Sequence, residues 1–126
     1  MHRRFEGAAT ATLGCPGGTI HVVLAESIRL RFLGLMRLDA DEVKPLLFPR
    51  CRSIHTFGMK SQIDLVWLAL DGERGRVLQV VEGLEPRGHA RGPRAGAERR
   101  TIAALELAAG EAERLGLRAG GLVALR

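Results

Sequence analysis

The sequence Ile63-Asp64-Leu65-Val66-Trp67-Leu68-Ala69-Leu70-Asp71-Gly72 is the most apolar part of the chain and indicates where its core lies. Positions 65–70 are apolar without interruption, which predicts a strand covered on both faces. Asp71-Gly72 is a strong turn signal, and positions 76–84 supply the valines and leucines of a returning strand. This region therefore predicts a buried β-hairpin.

A second hairpin is predicted near the N-terminus. Positions 8–13 alternate threonine with apolar residues, positions 15–18 break the pattern with proline and glycine, and positions 19–25 resume it. Ser27 follows, and its hydroxyl can accept a hydrogen bond from a free amide in the first turn of a helix. Because apolar residues then recur at helical spacing as far as Met36, we expect a short amphipathic helix after Ser27.

The rest of the chain predicts short elements and one long loop. Positions 54–57 are expected to form a strand, positions 110–115 a short helix and positions 122–125 a closing strand. Positions 101–107 fit either a strand or a helix on propensity alone. Positions 86–100 hold two prolines, three glycines and no large apolar residue, which predicts a long surface loop.

A single domain over residues 1–126 is expected, because 126 residues suffice to bury one core. Apolar residues make up 46% and charged residues 26%, which argues against disorder and against a disulfide scaffold. The longest apolar run has six residues, whereas a membrane span needs about 20. We therefore expect a soluble, cytoplasmic protein without a membrane span, and the sequence leaves open whether Cys15 and Cys51 are paired.

The net charge is +5, and 17 of the 19 basic residues are arginine. This bias is typical of a GC-rich genome whatever the function, and also of a protein with an anionic partner. Positions 86–100 carry five arginines against one glutamate, which fits a solvated loop or a surface that attracts phosphate, RNA or an acidic protein. Four Phe, one Trp and no Tyr are too few to stack unpaired bases, so nucleic acid is not the expected partner.

Five separated blocks occur in the order and spacing of a known family. They are Arg-Phe-Leu-Gly-Leu-Met at 31–36, Leu-Leu-Phe at 46–48, Cys-Arg-Ser-Ile-His-Thr-Phe-Gly-Met at 51–59, Ile-Asp-Leu-Val at 63–66 and Leu-Glu-Leu-Ala-Ala-Gly at 105–110. In these blocks the chain resembles domain of unknown function 192, also called uncharacterised protein family 0127. The third block places it in the branch with a Cys-Arg-Ser-aliphatic-His-Thr-Phe-Gly-Met motif.

The resemblance implies a fold but no established activity. It implies a compact single α+β domain with a strongly bent mixed or antiparallel β-sheet, or a small barrel, and two or three short helices. It also implies that positions 101–107 form a strand.

Soft side chains cluster in the third block, where Cys51, His55 and Met59 stand four residues apart. All three residue types can bind a soft metal such as Cu(I). In a strand, however, Cys51 and His55 would lie about 13 Å apart at ~3.3 Å per residue, so one ion could bridge them only across a sharp bend. The alternative is that Cys51 and Met59 fill the core, and no metal or cofactor is predicted.

Asp64 begins the most apolar strand, where a charged carboxylate is costly unless it is hydrogen-bonded or paired. A structural role predicts that Asp64 is buried and accepts at least two hydrogen bonds, from backbone amides or from an arginine such as Arg52 or Arg31. A functional role would place Asp64 beside His55 in a shallow pocket, with His55 carrying a proton. Glu106 is a similar carboxylate within an apolar strand.

The leading hypothesis is a small binding or accessory domain whose pocket recognises a small ligand or a protein partner. The pocket would be lined by His55, Phe57, Met59 and Asp64, with Cys51 and Arg52 beside them. The alternative is an enzyme that uses His55 and Asp64 as a proton-transfer pair, with or without Cys51 as nucleophile. A non-enzymatic role is favoured, and the ligand and the oligomeric state are left open.

Overall fold

Seven β-strands close into a barrel in the computed structural model, which describes residues 3–56, 58–93 and 102–126. The barrel strands are β1 (Thr10–Cys15), β2 (Gly18–Leu24), β3 (Leu46–Phe48), β5 (Ile63–Asp71), β6 (Arg74–Leu84), β8 (Ile102–Ala108) and β9 (Leu122–Leu125). A separate two-stranded sheet is formed by β4 (Ser53–His55) and β7 (His89–Arg91). The helical segments are α1 (Ile28–Leu33), α2 (Glu111–Arg114) and 3-10 turns at Arg3–Phe5 and Ala40–Glu42.

Around the barrel the strands follow the order β1-β2-β3-β8-β5-β6-β9, and β9 pairs with β1 to close it. All neighbours are antiparallel except β2 and β3, which run parallel. A parallel pair cannot be joined by a tight turn and needs a crossover connection. Here the crossover contains α1 and the Ala40–Glu42 turn, and it carries them onto the outer face of the barrel.

Both predicted hairpins are confirmed. β1 and β2 turn between Cys15 and Gly18, and β5 and β6 turn between Asp71 and Arg74. Gly72 has φ +62°, a left-handed conformation that glycine adopts without strain. The predicted helix start is also confirmed, because the Leu30 amide donates to the Ser27 hydroxyl at 3.1 Å.

Two apolar clusters lie on opposite faces of the barrel strands, because successive side chains of a strand point to opposite sides. One cluster takes buried residues from every barrel strand and fills the interior. Its strand members are Leu13, Val22, Leu47, Val66, Leu68, Val77, Ala103, Leu105, Leu107 and Val123. Ala112 of α2 and the adjoining Leu115 close this interior. The second cluster covers the outer face of β3, β8 and β5 with residues such as Leu30, Leu35 and Ile54.

The expectation of an α+β domain with two or three short helices is only partly right. The small barrel is present, but α1 has six residues and α2 has four, so the described chain is mostly β. Neither helix is long or apolar enough to cross a membrane, and the same holds for the described 3-10 turns. Both predicted helices are present but short, and α1 ends early because Gly34 takes a positive φ.

The loop expected over positions 86–100 is also partly wrong, because β7 lies within it. Three residues of weak strand propensity pair there with β4, so tertiary pairing rather than local sequence makes the strand. Positions 94–100 lie outside the described residues. The strand that the family resemblance implied over 101–107 is confirmed as β8.

Asp64 is 1% exposed and accepts three backbone hydrogen bonds. Its Oδ1 accepts from the Gly83 amide, and its Oδ2 accepts from the amides of Gly110 and Ala112, each at 3.0 Å. The structural prediction for Asp64 is therefore confirmed, with amides rather than Arg52 or Arg31 as the donors. The carboxylate joins β5 to the end of β6 and to the first turn of α2.

We expect Asp64→Asn to lower the free energy of unfolding by about 1 to 3 kcal/mol, because the amide turns one acceptor into a donor that faces backbone donors. Urea unfolding of the variant and the wild type measures this difference. Asp71→Asn, which changes an exposed carboxylate, is the matched control and should stay within about 0.5 kcal/mol. Equal stabilities for Asp64→Asn and the wild type would contradict the structural role.

Candidate functional site

A cavity of about 160 Å³ lies on the outer face of the barrel. Its floor is formed by Phe48 of β3 and Glu106 of β8, which are both almost fully buried. Its walls are the segment 33–36 at the end of α1, the strand β4, and Cys51 and Met59 on either side of β4. Polar and apolar groups contribute about equally to the lining, so a ligand there would meet apolar side chains and hydrogen-bonding groups together.

Gly34 brings the backbone at the end of α1 close to the floor of the cavity. It has φ +48°, and its amide donates to the Leu30 carbonyl at 2.8 Å, which ends the helix. A Cβ at this position would lie 3.3 Å from the Phe48 ring and 3.4 Å from Glu106 Oε1. Glycine therefore meets two demands at once, a positive φ and a close approach to Glu106.

Glu106 places a carboxyl group in this floor because of the alternation along β8. Leu105 and Leu107 point into the barrel, whereas Ala104 and Glu106 point outward. The Glu106 side chain is 3% exposed and makes no hydrogen bond or ion pair with another described residue. Burial raises its pKa from an ordinary value of 4.5 to about 8. At neutral pH the carboxyl group is therefore mostly protonated and uncharged.

Arg31 lies at the wall of the cavity, but its guanidinium group is committed to the backbone. Its Nη1 donates to the Pro49 carbonyl at 2.7 Å and to the Ala25 carbonyl at 3.5 Å, and its Nη2 donates to the Arg50 carbonyl at 3.3 Å. These bonds hold α1 against the segment that follows β3. Arg31 therefore shapes the cavity rather than neutralising Glu106.

Cys51 contributes a buried thiol to the wall, and its Sγ donates to the Ser53 carbonyl at 3.3 Å. Burial raises the pKa of this thiol, the hydrogen bond to Ser53 and the charge of Arg31 oppose the rise, and Glu106 adds to it. Burial also raises the pKa of Cys15, and both cysteines are free. A raised pKa keeps the thiol protonated, which disfavours Cys51 as a nucleophile.

The structure brings together three of the residues selected from the sequence. Cys51, His55 and Met59 all line the cavity, with His55 exposed on β4. Asp64 does not line it, because its carboxylate is held at α2 on the interior side of the barrel. The expected grouping of His55 with Asp64 is therefore not seen.

The other expected site residues take different positions. Arg52 is exposed, and its carbonyl accepts from the Gly92 amide at 2.7 Å. Phe57 lies outside the described residues. Among residues 3–56, 58–93 and 102–126 there is no group of three or more His, Cys, Asp or Glu side chains placed to hold a metal ion.

Sequence reasoning noticed Glu106 as a carboxylate in an apolar strand but did not place it in the site. A glutamate flanked by leucines on a strand buried on both faces was the available signal. The sequence does not show on which face of β8 the Glu106 side chain lies, because both faces of the strand are apolar. Gly34 was likewise visible only as a helix end.

Comparisons with known proteins support the fold. The family model of DUF192, described as "Uncharacterized ACR", matches residues 11–125, which confirms the resemblance seen in the five blocks. Among curated proteins no sequence matches this chain. The chain is similar to a solved protein of unknown function from Novosphingobium aromaticivorans, with a TM-score of 0.67 and 24% identity over 92% of this chain and 84% of the other. At this identity the likeness establishes the fold alone.

We expect the stability of the wild type to fall as the pH rises from about 5 to about 8. In this range the unfolded chain has released the Glu106 proton and the folded chain still holds it, so unfolding releases a proton. Through Glu106, the free energy of unfolding falls by up to ~1.4 kcal/mol per pH unit. Glu106→Gln should lack this slope in urea unfolding at pH 5.5, 7 and 8.5.

Glu113→Gln, on the exposed side of α2, is the control for loss of a glutamate and should keep the slope of the wild type. Parallel stability curves for Glu106→Gln and the wild type would show that Glu106 titrates at an ordinary pKa.

We expect Cys51 to react slowly with iodoacetamide at pH 7.5, because its thiol is buried and its pKa is raised. In a Cys15→Ser variant, mass spectrometry follows Cys51 alone, and the rate should be at least about tenfold below that of free cysteine. The same variant unfolded in urea should react at the ordinary rate. A folded protein that reacts faster than free cysteine would instead favour a nucleophilic thiol.

Proposed function

The chain belongs to the DUF192 family, and from the geometry of its cavity we propose that it is a binding domain that holds a small polar group against Glu106. One observation carries this proposal. A buried carboxyl group at the floor of an open cavity has no hydrogen-bond partner among the described residues. Such a group costs stability unless something satisfies it. The cavity is open, so water satisfies the group in the free protein and the polar end of a ligand can replace that water.

The chemistry of Glu106 selects the kind of ligand. A protonated carboxyl group has one O–H donor and one carbonyl acceptor side by side. A carboxamide presents the complementary acceptor and donor at the same spacing, so both hydrogen bonds can form together. A cationic amine is less suitable, because Arg31 lies at the cavity wall and the protein has a net charge of +5.

The size and lining of the cavity set the rest of the ligand. A volume of about 160 Å³ is close to that of engineered apolar cavities that bind benzene. Apolar side chains provide about half of the lining, and Arg31, Ser53 and His55 add polar surface beside Glu106. The apolar members include Met36, Phe48, Ile54 and Met59. The ligand group is therefore a short apolar chain or ring that ends in a carboxamide or a similar neutral group.

An enzymatic role has less support than binding. The proton-transfer pair of His55 and Asp64 would need the two side chains within hydrogen-bond reach. Both carboxylate oxygens of Asp64, however, accept hydrogen bonds from backbone amides. Cys51 lines the cavity but carries a thiol whose pKa is raised. Binding without chemistry accounts for both features.

We expect butyramide to bind this cavity with a millimolar dissociation constant, and about fivefold more tightly than 2-pentanone. The two probes have the same shape, and 2-pentanone lacks the N–H donors, so the ratio corresponds to one net hydrogen bond of about 1 kcal/mol. Titration followed by NMR, with shifts mapped to Met36, Ile54 and Met59, measures both constants.

Variants at the floor separate hydrogen bonding from simple filling of the cavity. Glu106→Leu should bind both probes equally, whereas Glu106→Gln should keep the preference for butyramide because it retains a donor and an acceptor. Shifts scattered over the surface, or no difference between the wild type and Glu106→Leu, would overturn the proposed function.

A further inference from the structure

No described strand pairs with one edge of β4. Strand β4 pairs with β7 through Ile54 and Ala90, and this pairing continues as the Thr56 amide donates to the Gly88 carbonyl at 2.9 Å. At the other end the Gly92 amide donates to the Arg52 carbonyl at 2.7 Å. In an antiparallel ladder alternate residues bond to the partner strand, so positions 52, 54 and 56 face β7.

The backbone groups of Ser53 and His55 therefore point to the opposite edge. The Ser53 carbonyl accepts a hydrogen bond from Cys51 Sγ, which agrees with this direction. The Ser53 amide and both backbone groups of His55 have no hydrogen-bond partner among the described residues. Two amides and one carbonyl on a three-residue strand are the pattern that an added strand satisfies.

The open edge lies beside the cavity. All three residues of β4 line the cavity, whereas none of the three residues of β7 does. The cavity is therefore on the side of β4 that faces away from β7. A chain paired with this edge would pass over the cavity, with alternate side chains directed toward the barrel and away from it.

The outer face of the β4–β7 sheet favours acidic neighbours. Ser53 stands opposite Arg91, and His55 stands opposite His89, and all four residues are exposed. Acidic side chains next to the central residue of an incoming chain would pair with Arg91 and accept hydrogen bonds from the exposed histidines.

We propose that the partner of this site is an extended peptide that adds a strand to the open edge of β4 and inserts one Gln or Asn side chain into the cavity. This inference rests on the proposed function, because the inserted carboxamide is the group held by Glu106. Main-chain hydrogen bonds to Ser53 and His55 supply affinity, and the cavity selects the side chain. The acidic residues flank the inserted one.

The test uses the peptide acetyl-Val-Glu-Gln-Glu-Val-amide, in which the two Glu side chains flank Gln and point to the outer face, and a set of single N-methylated versions, titrated into the 15N-labelled protein. N-methylation removes one N–H donor and blocks one edge of the peptide. Alternate amides of a strand point to the same edge, and only one edge of the added strand faces β4. We therefore expect methylation at either the odd or the even positions of the peptide to weaken binding at least tenfold. Methylation at the other set of positions should have little effect.

Amide hydrogen exchange provides a control within the protein. Bound peptide should slow exchange of the Ser53 and His55 amides at least tenfold, while the Ile54 amide, which already faces β7, should change little. On the wild type, a peptide with Leu in place of Gln should bind at least fivefold more weakly than the parent peptide. On Glu106→Leu, the two peptides should bind equally.

The outcomes distinguish carboxamide binding in the cavity from strand addition to β4. If butyramide binds the cavity but every N-methylated peptide binds like the parent, strand addition is wrong and carboxamide binding is still supported. If the parity effect appears but Gln and Leu peptides bind equally, the inserted carboxamide is wrong. If neither butyramide nor any peptide shifts the resonances of the cavity residues, the proposed function itself fails.

Discussion

The hydrogen bonding of the Asp64 carboxylate is the interaction on which the position of α2 over the barrel interior depends. It accepts hydrogen bonds from amides at the end of β6 and in the first turn of α2, and its own strand β5 pairs with β6 and β8. The helix α2 has only four residues, too short to be stable alone, so its position depends on tertiary contacts. A carboxylate at its N-terminus satisfies amides that no helical carbonyl can reach. With α2 fixed, Ala112 and Leu115 close the interior core.

Asp64 and Glu106 show how one pair of strands can assign different roles to two buried carboxyl groups. In the β5–β8 ladder Asp64 lies opposite Leu107, and Leu65 lies opposite Glu106. The two carboxyl groups are thus one position apart in the register and face opposite sides of the barrel wall. On the interior side Asp64 meets three donors, whereas on the outer side Glu106 meets an open cavity. Donor supply, rather than burial, distinguishes the structural carboxylate of Asp64 from the carboxyl group of Glu106 in the cavity.

The outer layer is built from segments with little regular structure of their own. Arg31 binds the carbonyls of Pro49 and Arg50, Gly34 ends α1 against Phe48, and Thr56 accepts the Gly88 amide through its hydroxyl. These polar contacts hold short elements over the apolar outer face of the barrel. A layer assembled in this way leaves a gap between its parts, and that gap is the cavity. Among the described strands it also leaves β4 with one partner instead of two.

Local sequence was sufficient wherever the signal was local. The Asp71-Gly72 turn, the Ser27 cap and the apolar run from 65 to 70 each depend on neighbouring residues, and each prediction agrees with the structure. The cost of burying Asp64 also followed from its neighbours, which is why its hydrogen bonding was predictable. The five blocks indicated the family and, through it, the small barrel.

Pairing and register lay beyond the reach of the sequence. Strand β7 exists because β4 pairs with it, and the face of Glu106 depends on how β8 aligns with β3 and β5. A strand that is apolar on both faces has no alternating pattern of apolar and polar residues. Its sequence therefore does not show which face points into the barrel. Only the assembled barrel directs Asp64 toward α2 and Glu106 toward the cavity, because a shift of one residue in register would exchange the two faces.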